Sequence, residues 1–393
     1  MQNNLTVIIG GGAAGICAAI STARRGESVV ICEKTPFLGK KILATGNGRC
    51  NLLNDTLDET FYNTAAHDLV KSVFNRCGKA EILNFFKGLG LEIYSQDGRI
   101  FPRTNQAASV LKVLELELKR LSVPVEYGFD CDSVIKTSNG LTVSPKSGKK
   151  IECVKVIIAG GGKTYPSFGA DGSAFTLARQ LSHTIIEPVP SAVPLVIKDN
   201  LCHLLQGQRI FASARSVIND QSGKPVSGEL LFTKYGLSGT CILDISEAVS
   251  VAINRQHQTD VDVAVDLAPF MDETALKDEL KKRRKMNVPS EDMLAGILPN
   301  KFGGAFKEVF EQGNLDLAVR SIKDRRFKVS GTRGWNEAEF TSGGIAVDEV
   351  KLGTLESKLV EGVHFAGEVL DVNGHRGGYN LGWAWASGVV AGQ

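Results

Sequence analysis

The stretch TVIIGGGAAGICAAISTARRGESVVICEK, residues 6–34, constrains the fold of this 393-residue chain more than any other. Residues 7–9 form a short apolar run that reads as a buried strand. Gly10, Gly12 and Gly15 follow as G-x-G-x-x-G, and residues 13–25 carry small and apolar side chains at helical spacing. Gly26 ends that helix, residues 28–32 read as a second strand, and Glu33 closes it. Each glycine has its own physical reason. Gly10 permits the tight turn, Gly12 lets backbone approach a pyrophosphate, and Gly15 lets helix and sheet pack closely. The helix N-terminus offers free N–H groups and positive dipole to phosphate oxygens. Glu33 can accept ribose hydroxyls and would repel a 2′-phosphate. The unit therefore predicts FAD or NAD, disfavours NADP at this site, and does not separate the first two.

The next loop bears on that choice. EKTPFLGKKILATGNGRCN, residues 33–51, leaves the acid with no helix expected to return the chain to the sheet. Such a loop can lie along an extended dinucleotide, with Lys40 and Lys41 neutralising phosphate and Asn47, Arg49 and Asn51 donating hydrogen bonds. Cys50 sits beside Arg49, but none of the eight cysteines forms a C-x-x-C pair, so a redox-cycling thiol, zinc and a disulfide framework are all disfavoured. Cysteines inside apolar runs read as core residues of a chain in a reducing, cytoplasmic compartment.

The far end carries a second ligand-type element. In GVHFAGEVLDVNGHRGGYNLGWAWASGVVAG, residues 362–392, a short strand leads to Gly367-Glu368, then to a glycine loop ending at Gly378 and a helix from Tyr379. A strand, a Gly-acid turn and a Gly-led helix can hold the middle and reactive end of FAD. The acid binds ribityl hydroxyls, and the helix N-terminus faces the N1/C2=O edge where charge gathers on reduction. An NAD domain needs no such element, so FAD is favoured. Between the two ends, residues 154–158 read as a strand ending in Ala159-Gly160-Gly161, with Asp171-Gly172 opening a helix. Tyr165 stands where a third fingerprint glycine would be, so this is chain returning to the same cofactor.

GGGAAG at 10–15, GKKILATGNGRCN at 39–51, AGGGKTYPSFGADG at 159–172, GELLFTKYGLSG at 228–239 and FAGEVLDVNGHRGGYNLGWAWASG at 365–388 together resemble the BaiN/YhiN-like family of NAD(P)/FAD-dependent oxidoreductases, which includes aminoacetone oxidase-like flavoproteins. The resemblance implies an α/β fold with a Rossmann-like FAD-binding domain built from both chain ends (1–189 and 335–393). A β-rich insert (190–270 and 323–334) and a small helical subdomain (271–322) lie between them. It also implies FAD as cofactor. The cofactor contacts expected on this chain are Gly10, Gly12, Ala13, Ala14, Gly15, Glu33, Lys34, Lys40, Lys41, Asn47, Arg49, Cys50, Asn51, Ser133, Ala159, Gly160, Gly161, Asp171, Gly367, Glu368, Gly378, Tyr379, Asn380 and Leu381. Tyr165, Arg49, His375 and Arg376 are the orienting or proton-handling candidates nearest the ring.

The middle of the chain reads as short strands, including GELLFTKYGLSGTCILDIS, followed by helices over DETALKDELKKRRKM, SEDMLAGIL and KFGGAFKEVFEQG, with Asp272 and Ser290 placed as N-caps. KKRRK at 281–285 sits at a helix end with acids nearby and reads as a solvated face. The net charge of +2 gives no electrostatic reason to expect nucleic acid, and no segment is long and apolar enough to span a membrane. No histidine pair has metal-ligand spacing. The expectation is an FAD-dependent oxidoreductase acting on a small molecule, with NAD(P)H or oxygen as possible second partner. A flavoprotein acting on RNA and a non-catalytic FAD or NAD(H) sensor are the other two classes.

Overall fold

The computed structural model describes residues 4–393. They divide into two units: one runs up to Pro188 and resumes at Phe340–Gln393, and the other is Val189–Glu339.

The first unit is built on a five-stranded parallel sheet. Its order is Val363–Phe365, Lys155–Ile158, Leu5–Ile9, Ser28–Glu33, Val125–Tyr127. Val7, Ile8, Ile31, Val156, Ile157 and Ile158 are buried, as continuous apolar runs must be in a sheet covered on both faces. The first and last helices of the chain, Ala13–Arg24 and Tyr379–Ala391, cross at very short range. A Cβ on Gly388 would lie 2.3 Å from the Ala14 carbonyl oxygen, and one on Gly392 would lie 2.4 Å from that of Ala18. Ser21 and Thr22 hydroxyls donate to the Val389 and Gly392 carbonyls at 2.9 and 3.0 Å. These contacts weld the two chain ends into one layer. The unit also holds two three-stranded antiparallel sheets: Leu53–Asn54, Arg99–Pro102, Ile93–Gln96, and Cys131–Thr137, Gly140–Pro145, Ile151–Cys153. The loop after Glu33 departs from the sequence reading by winding a short helix over Lys40–Ala44.

In the second unit six of seven antiparallel strands close into a barrel, because Val261–Asp266 pairs both with Arg325–Thr332 and back to Arg209–Ile218. Phe232 and Phe327 of the strands share one buried cluster with Leu276, Leu280, Phe302, Phe306 and Ile322 of the helices Glu273–Lys285, Lys301–Glu311 and Leu315–Lys323. Asp272 caps the first of these, accepting from Ala275 N at 2.7 Å. Two element readings are corrected. TCILDIS belongs to a helix, Thr240–Ser250, and residues 290–298 contain only a single 3₁₀ turn, Ser290–Asp292, preceded by Pro289. The basic run is paired in part: Lys281 pairs with Asp278, Lys282 and Arg283 share Glu279, and Arg284 donates to the Gly313 carbonyl. No helix among the described residues is long and apolar enough to cross a membrane.

Candidate functional site

The fingerprint glycines are required for three different reasons. Gly10 has φ +102, and a Cβ there would also strike the Ala159 carbonyl oxygen at 2.6 Å. A Cβ on Gly15 would lie 1.9 Å from the Gly10 oxygen. Gly12 is unlike both. Its backbone (φ −84, ψ −168) suits any residue, and a Cβ there would meet nothing within 4 Å. Neither conformation nor protein packing calls for glycine at position 12. A ligand laid against the bare first turn of the helix does, and a pyrophosphate suits the N–H groups offered there by Ala13, Ala14 and Gly15.

Glu33 closes the second strand beside this turn and is 9% exposed. Its Oε2 accepts from Gly11 N and its Oε1 from Thr35 N, both at 2.7 Å. Each oxygen retains a lone pair for a ribose hydroxyl. Lys34 next to it pairs with Asp171 at 2.7 Å and reaches Ser173 Oγ at 3.1 Å. Burial opposes ionisation of Asp171, but Lys34 and Ser173 outweigh it and hold the carboxyl at about 2. Ala159 follows the neighbouring strand, its N–H bonded to the Ile9 carbonyl at 2.8 Å. Gly160 passes so close to the helix Ser173–Gln180 that a Cβ would lie 2.9 Å from that of Ala174, and Gly161 turns the chain with φ +75.

Glu368 is the hub of a second polar cluster. Lys41 Nζ lies 2.5 Å from its Oε2 and also bonds the Thr164 hydroxyl. Its Oε1 accepts from Thr341 N at 2.8 Å and Thr164 Oγ1 at 3.2 Å. Gly367 is packed on the start of the fingerprint helix, where a Cβ would lie 2.9 Å from that of Ala14. Lys41 therefore lies on Glu368, while Lys40 stands over the Phe37 ring at 5.8 Å. The terminal helices run parallel, Ala14 against Gly388. The first turn at Tyr379 thus lies nine residues, about 13 Å, beyond the fingerprint turn. Glu368 thus follows a residue packed on the fingerprint helix, and the 374–378 turn leads into the helix that pairs with it.

That last turn is firmly tied. Asn380 Oδ1 accepts from Gly374 N at 2.9 Å and its Nδ2 donates to the Gly374 carbonyl at 2.8 Å. His375 N donates to the Phe61 carbonyl at 2.9 Å, and its exposed ring meets Phe61 and Tyr379 edge-on. Arg376 is half-buried beside it. Gly378 has φ +105, and a Cβ there would lie 2.5 Å from the Leu53 carbonyl carbon. Tyr379 stacks on Phe61 at 4.6 Å, and Leu381 packs against the core.

The 45–51 loop runs through left-handed conformations at Asn47 (φ 55) and Cys50 (φ 58). Cys50 is fully buried, and burial pushes its thiol up to about 12, the wrong direction for a nucleophile. Asn51 Oδ1 is buried with no hydrogen-bond partner among the described residues, an acceptor open to a ligand. Arg49 turns to the neighbouring sheet: its guanidinium stacks on Phe101 at 4.3 Å and donates to Tyr94 Oη and Asn105 Oδ1, each at 3.0 Å. Tyr165 adopts φ 56 and stacks on Phe168 at 5.3 Å. Ser133 lies on the separate antiparallel sheet, opposite Ser144. Thr164 and Thr341 are the polar partners that the sequence reading does not single out. Thr164 stands directly before Tyr165 in the third motif, which was its one local signal.

The HI0933-like protein Rossmann domain matches residues 4–393 of the chain. A 3-dehydro-bile acid delta(4,6)-reductase of Clostridium scindens is 36% identical over 401 residues, covering 98% of this chain and 97% of that protein. A ribosomal RNA dihydrouridine synthase of Escherichia coli is 28% identical over 407 residues, covering 100% and 98%. Among solved structures, the open conformation of a flavocytochrome c3 fumarate reductase shares the fold, with a TM-score of 0.51 at 16% identity over 99% of this chain and 76% of that one. With the domain match spanning every described residue and a relative at 36% identity across almost the whole length, the chain belongs to the HI0933-like family.

Proposed function

We propose that the protein is an FAD-dependent reductase that saturates a carbon–carbon double bond conjugated to a carbonyl group. The observation that carries the FAD reading is the pairing of two ligand sites along the welded terminal helices. A phosphate cradle at Gly12 with Glu33 stands at one end, and Glu368 leads to a second helix N-terminus at the other. One dinucleotide extended along that line uses both. The unpartnered Asn51 oxygen fits the same extended ligand.

The reaction class draws on the relatives' names. A delta(4,6) bond system in a 3-dehydro steroid and the C5=C6 bond whose saturation makes dihydrouridine are both conjugated to a carbonyl. Reduced FAD would supply a hydride from N5 to the β-carbon of such a bond. The chain's own residues bind and orient. Gly12 and Glu33 hold the adenosine diphosphate half, and Lys41, Thr164 and Thr341 fix the Glu368 carboxylate that accepts ribityl hydroxyls. The Tyr379 helix N-terminus offsets negative charge at the ring's N1/C2=O edge. Tyr165 Oη and the His375 imidazole are the candidates to deliver the proton to the α-carbon, with Arg376 as an orienting group. NADH or NADPH is the proposed source of the hydride equivalent, and the substrate is a small molecule.

The 28% relative keeps uridine in RNA as a second reading. The small net charge of +2, and the pairing of Lys281, Lys282 and Arg283 with Asp278 and Glu279, count against it.

The test is anaerobic single turnover. Protein carrying reduced flavin is mixed with 2-cyclohexenone, with a 3-oxo-4-ene steroid, or with ribosomal RNA. Flavin reoxidation with one equivalent of saturated ketone supports the reading. Reoxidation by RNA alone, with dihydrouridine formed, transfers the activity to RNA. Reoxidation by none of them overturns the reaction class.

A further inference from the structure

The sheet beside the proposed ring site carries charge that the protein leaves uncompensated. On one face of Ile93–Gln96 and Arg99–Pro102, Tyr94 stands opposite Phe101 and Gln96 opposite Arg99, and Asn54 of the third strand pairs with Arg99 as well. Arg49 lies flat on Phe101 at 4.3 Å. Its Nε and Nη2 are anchored on Asn105, Tyr94 and Gln96 at 3.0–3.4 Å. Its Nη1 makes no hydrogen bond among the described residues. Arg103 covers the Tyr94 ring at 5.1 Å.

This face abuts the turn that leads to Tyr379. Asn54 Nδ2 donates to the Gly377 carbonyl at 2.9 Å, and a Cβ on Gly377 would lie 3.7 Å from Arg99 Nε. Several of the chain's exposed arginines sit on carboxylates, as Arg25 does on Glu27, Arg209 on Glu229 and Arg326 on Asp324, whereas isolated ones such as Arg179 and Arg320 do not among the described residues. Among the described residues, Arg49, Arg99 and Arg103 make no ion pair. The nearby acids are committed elsewhere: Asp55 to Lys79 and Ser95, and Asp58 to Thr60. Asp97, at the hairpin tip, makes no ion pair with them either.

Guanidiniums that share one face of a sheet without counter-charge repel one another. Fixing one of them by stacking and four hydrogen bonds costs side-chain entropy without neutralising it. An anion supplies the missing compensation, and arginine's forked donors match carboxylate or phosphate oxygens in bidentate fashion. From this juxtaposition, and resting on the ring placement proposed above, we infer that Arg49 and Arg99 form an oxyanion subsite. It takes a carboxylate or phosphate of the substrate while the reducible double bond lies by the 374–378 turn. The substrate class narrows accordingly to unsaturated carbonyl compounds that carry an acidic group.

The experiment is calorimetric titration of the protein as purified, with two matched pairs of probes: trans-cinnamate against trans-cinnamamide, and uridine 5′-monophosphate against uridine. The first pair reads carboxylate and the second phosphate. Wild type binds at least one anion about tenfold or more tightly than its neutral partner, and 0.5 M salt removes most of the difference, as for exposed charges (roughly a 10 Å screening length at 0.1 M). Arg99→Ala weakens the anion about 10- to 100-fold, the range for hydrogen bonds to charged groups, and leaves the neutral probe unchanged. Arg99→Lys recovers part, and Arg49→Lys does the same from the other side. Equal binding of anion and neutral in both pairs, or an anion preference that survives Arg99→Ala in protein with unchanged melting, overturns the subsite. Because binding is read without turnover, the outcomes separate. Anion preference without alkene reduction would sink the reaction class alone, and reduction of neutral enones without anion preference would sink the subsite alone.

Discussion

Gly12 and Gly15 show how two identical residues three positions apart carry different information. Gly15 is demanded by the fold, since any Cβ there would strike the Gly10 carbonyl oxygen. Gly12 is demanded by nothing in the protein. Gly12→Ala is therefore expected to change the melting of cofactor-free protein little, about 0.5 kcal/mol or less as for a substitution away from any packed feature, while lowering FAD retention at least tenfold. Thermal melts of stripped protein and flavin content of purified variant check the two halves. Loss of fold with Gly12→Ala would show that the turn is structural. Cys50 gives the complementary case. Its neighbour Arg49 suggests activation in sequence, but the thiol is buried and pushed up to about 12, as are Cys32 and Cys77. All eight cysteines are buried, so native protein should release almost no colour from a thiol-reactive disulfide reagent until it is unfolded. Rapid labelling of Cys50 in the native state would contradict this. Arg49's real surroundings were not legible because Phe101, Tyr94 and Asn105 lie some 50 residues on and meet it only through the sheet.

At the scale of elements, the strongest structural statement is the crossing of the two terminal helices. Gly388 has no turn to make; it is small because Ala14's backbone passes over it. Gly388→Ala should push the helices apart and destabilise the protein by about 1–3 kcal/mol, the range for overpacking. It should also weaken flavin binding, because both helix N-termini are aimed by that contact. A chemical melt beside a flavin titration reads both. Unchanged stability would mean that the crossing is looser than described. The βαβ unit and the closing strand and helix were readable because local spacing and caps agree with the tertiary structure there. The helix Thr240–Ser250 was not. CILDIS is a short apolar run rich in β-branched residues, which periodicity alone does not separate from a strand. Residues 290–298 fail as a helix for the opposite reason. Their composition suits one, but Gly296 takes φ +75 and Pro299 follows, so no second turn forms.

Across the whole molecule, burial sets how stability responds to acid. His183 is sealed between Glu349 and Ser357, with Nδ1 2.9 Å from Glu349 and Nε2 2.7 Å from Ser357 Oγ. Burial pushes it below its ordinary value of 6.5, with Glu349 pulling the other way. Burial, aided by Lys155, pushes His364 down to about 4. For a histidine depressed in the folded state, the unfolded chain takes up the proton first. The stability these groups contribute is complete above pH 6.5 and declines as pH falls towards about 4. Glu117 follows lower down. Arg120 and Arg24 outweigh burial and hold it at about 2, so its contribution is lost from 4.5 downwards. Melting should fall between pH 6.5 and 5 by an amount on the order of 1 kcal/mol. His364→Gln should flatten that portion; an unaltered slope would remove His364 from the account.

The claim on which the rest depends is that one extended dinucleotide joins the Gly12 cradle to the Tyr379 helix. The most direct measurement is the cofactor itself: the absorption spectrum of the purified protein, followed by acid release and identification of the ligand. The expected result is a yellow protein that releases FAD at close to one molecule per chain. Gly12→Ala should purify nearly colourless, and Glu33→Ala should be weakened by about 1.5–3 kcal/mol. A colourless wild type that binds NAD and takes up no added FAD would contradict it.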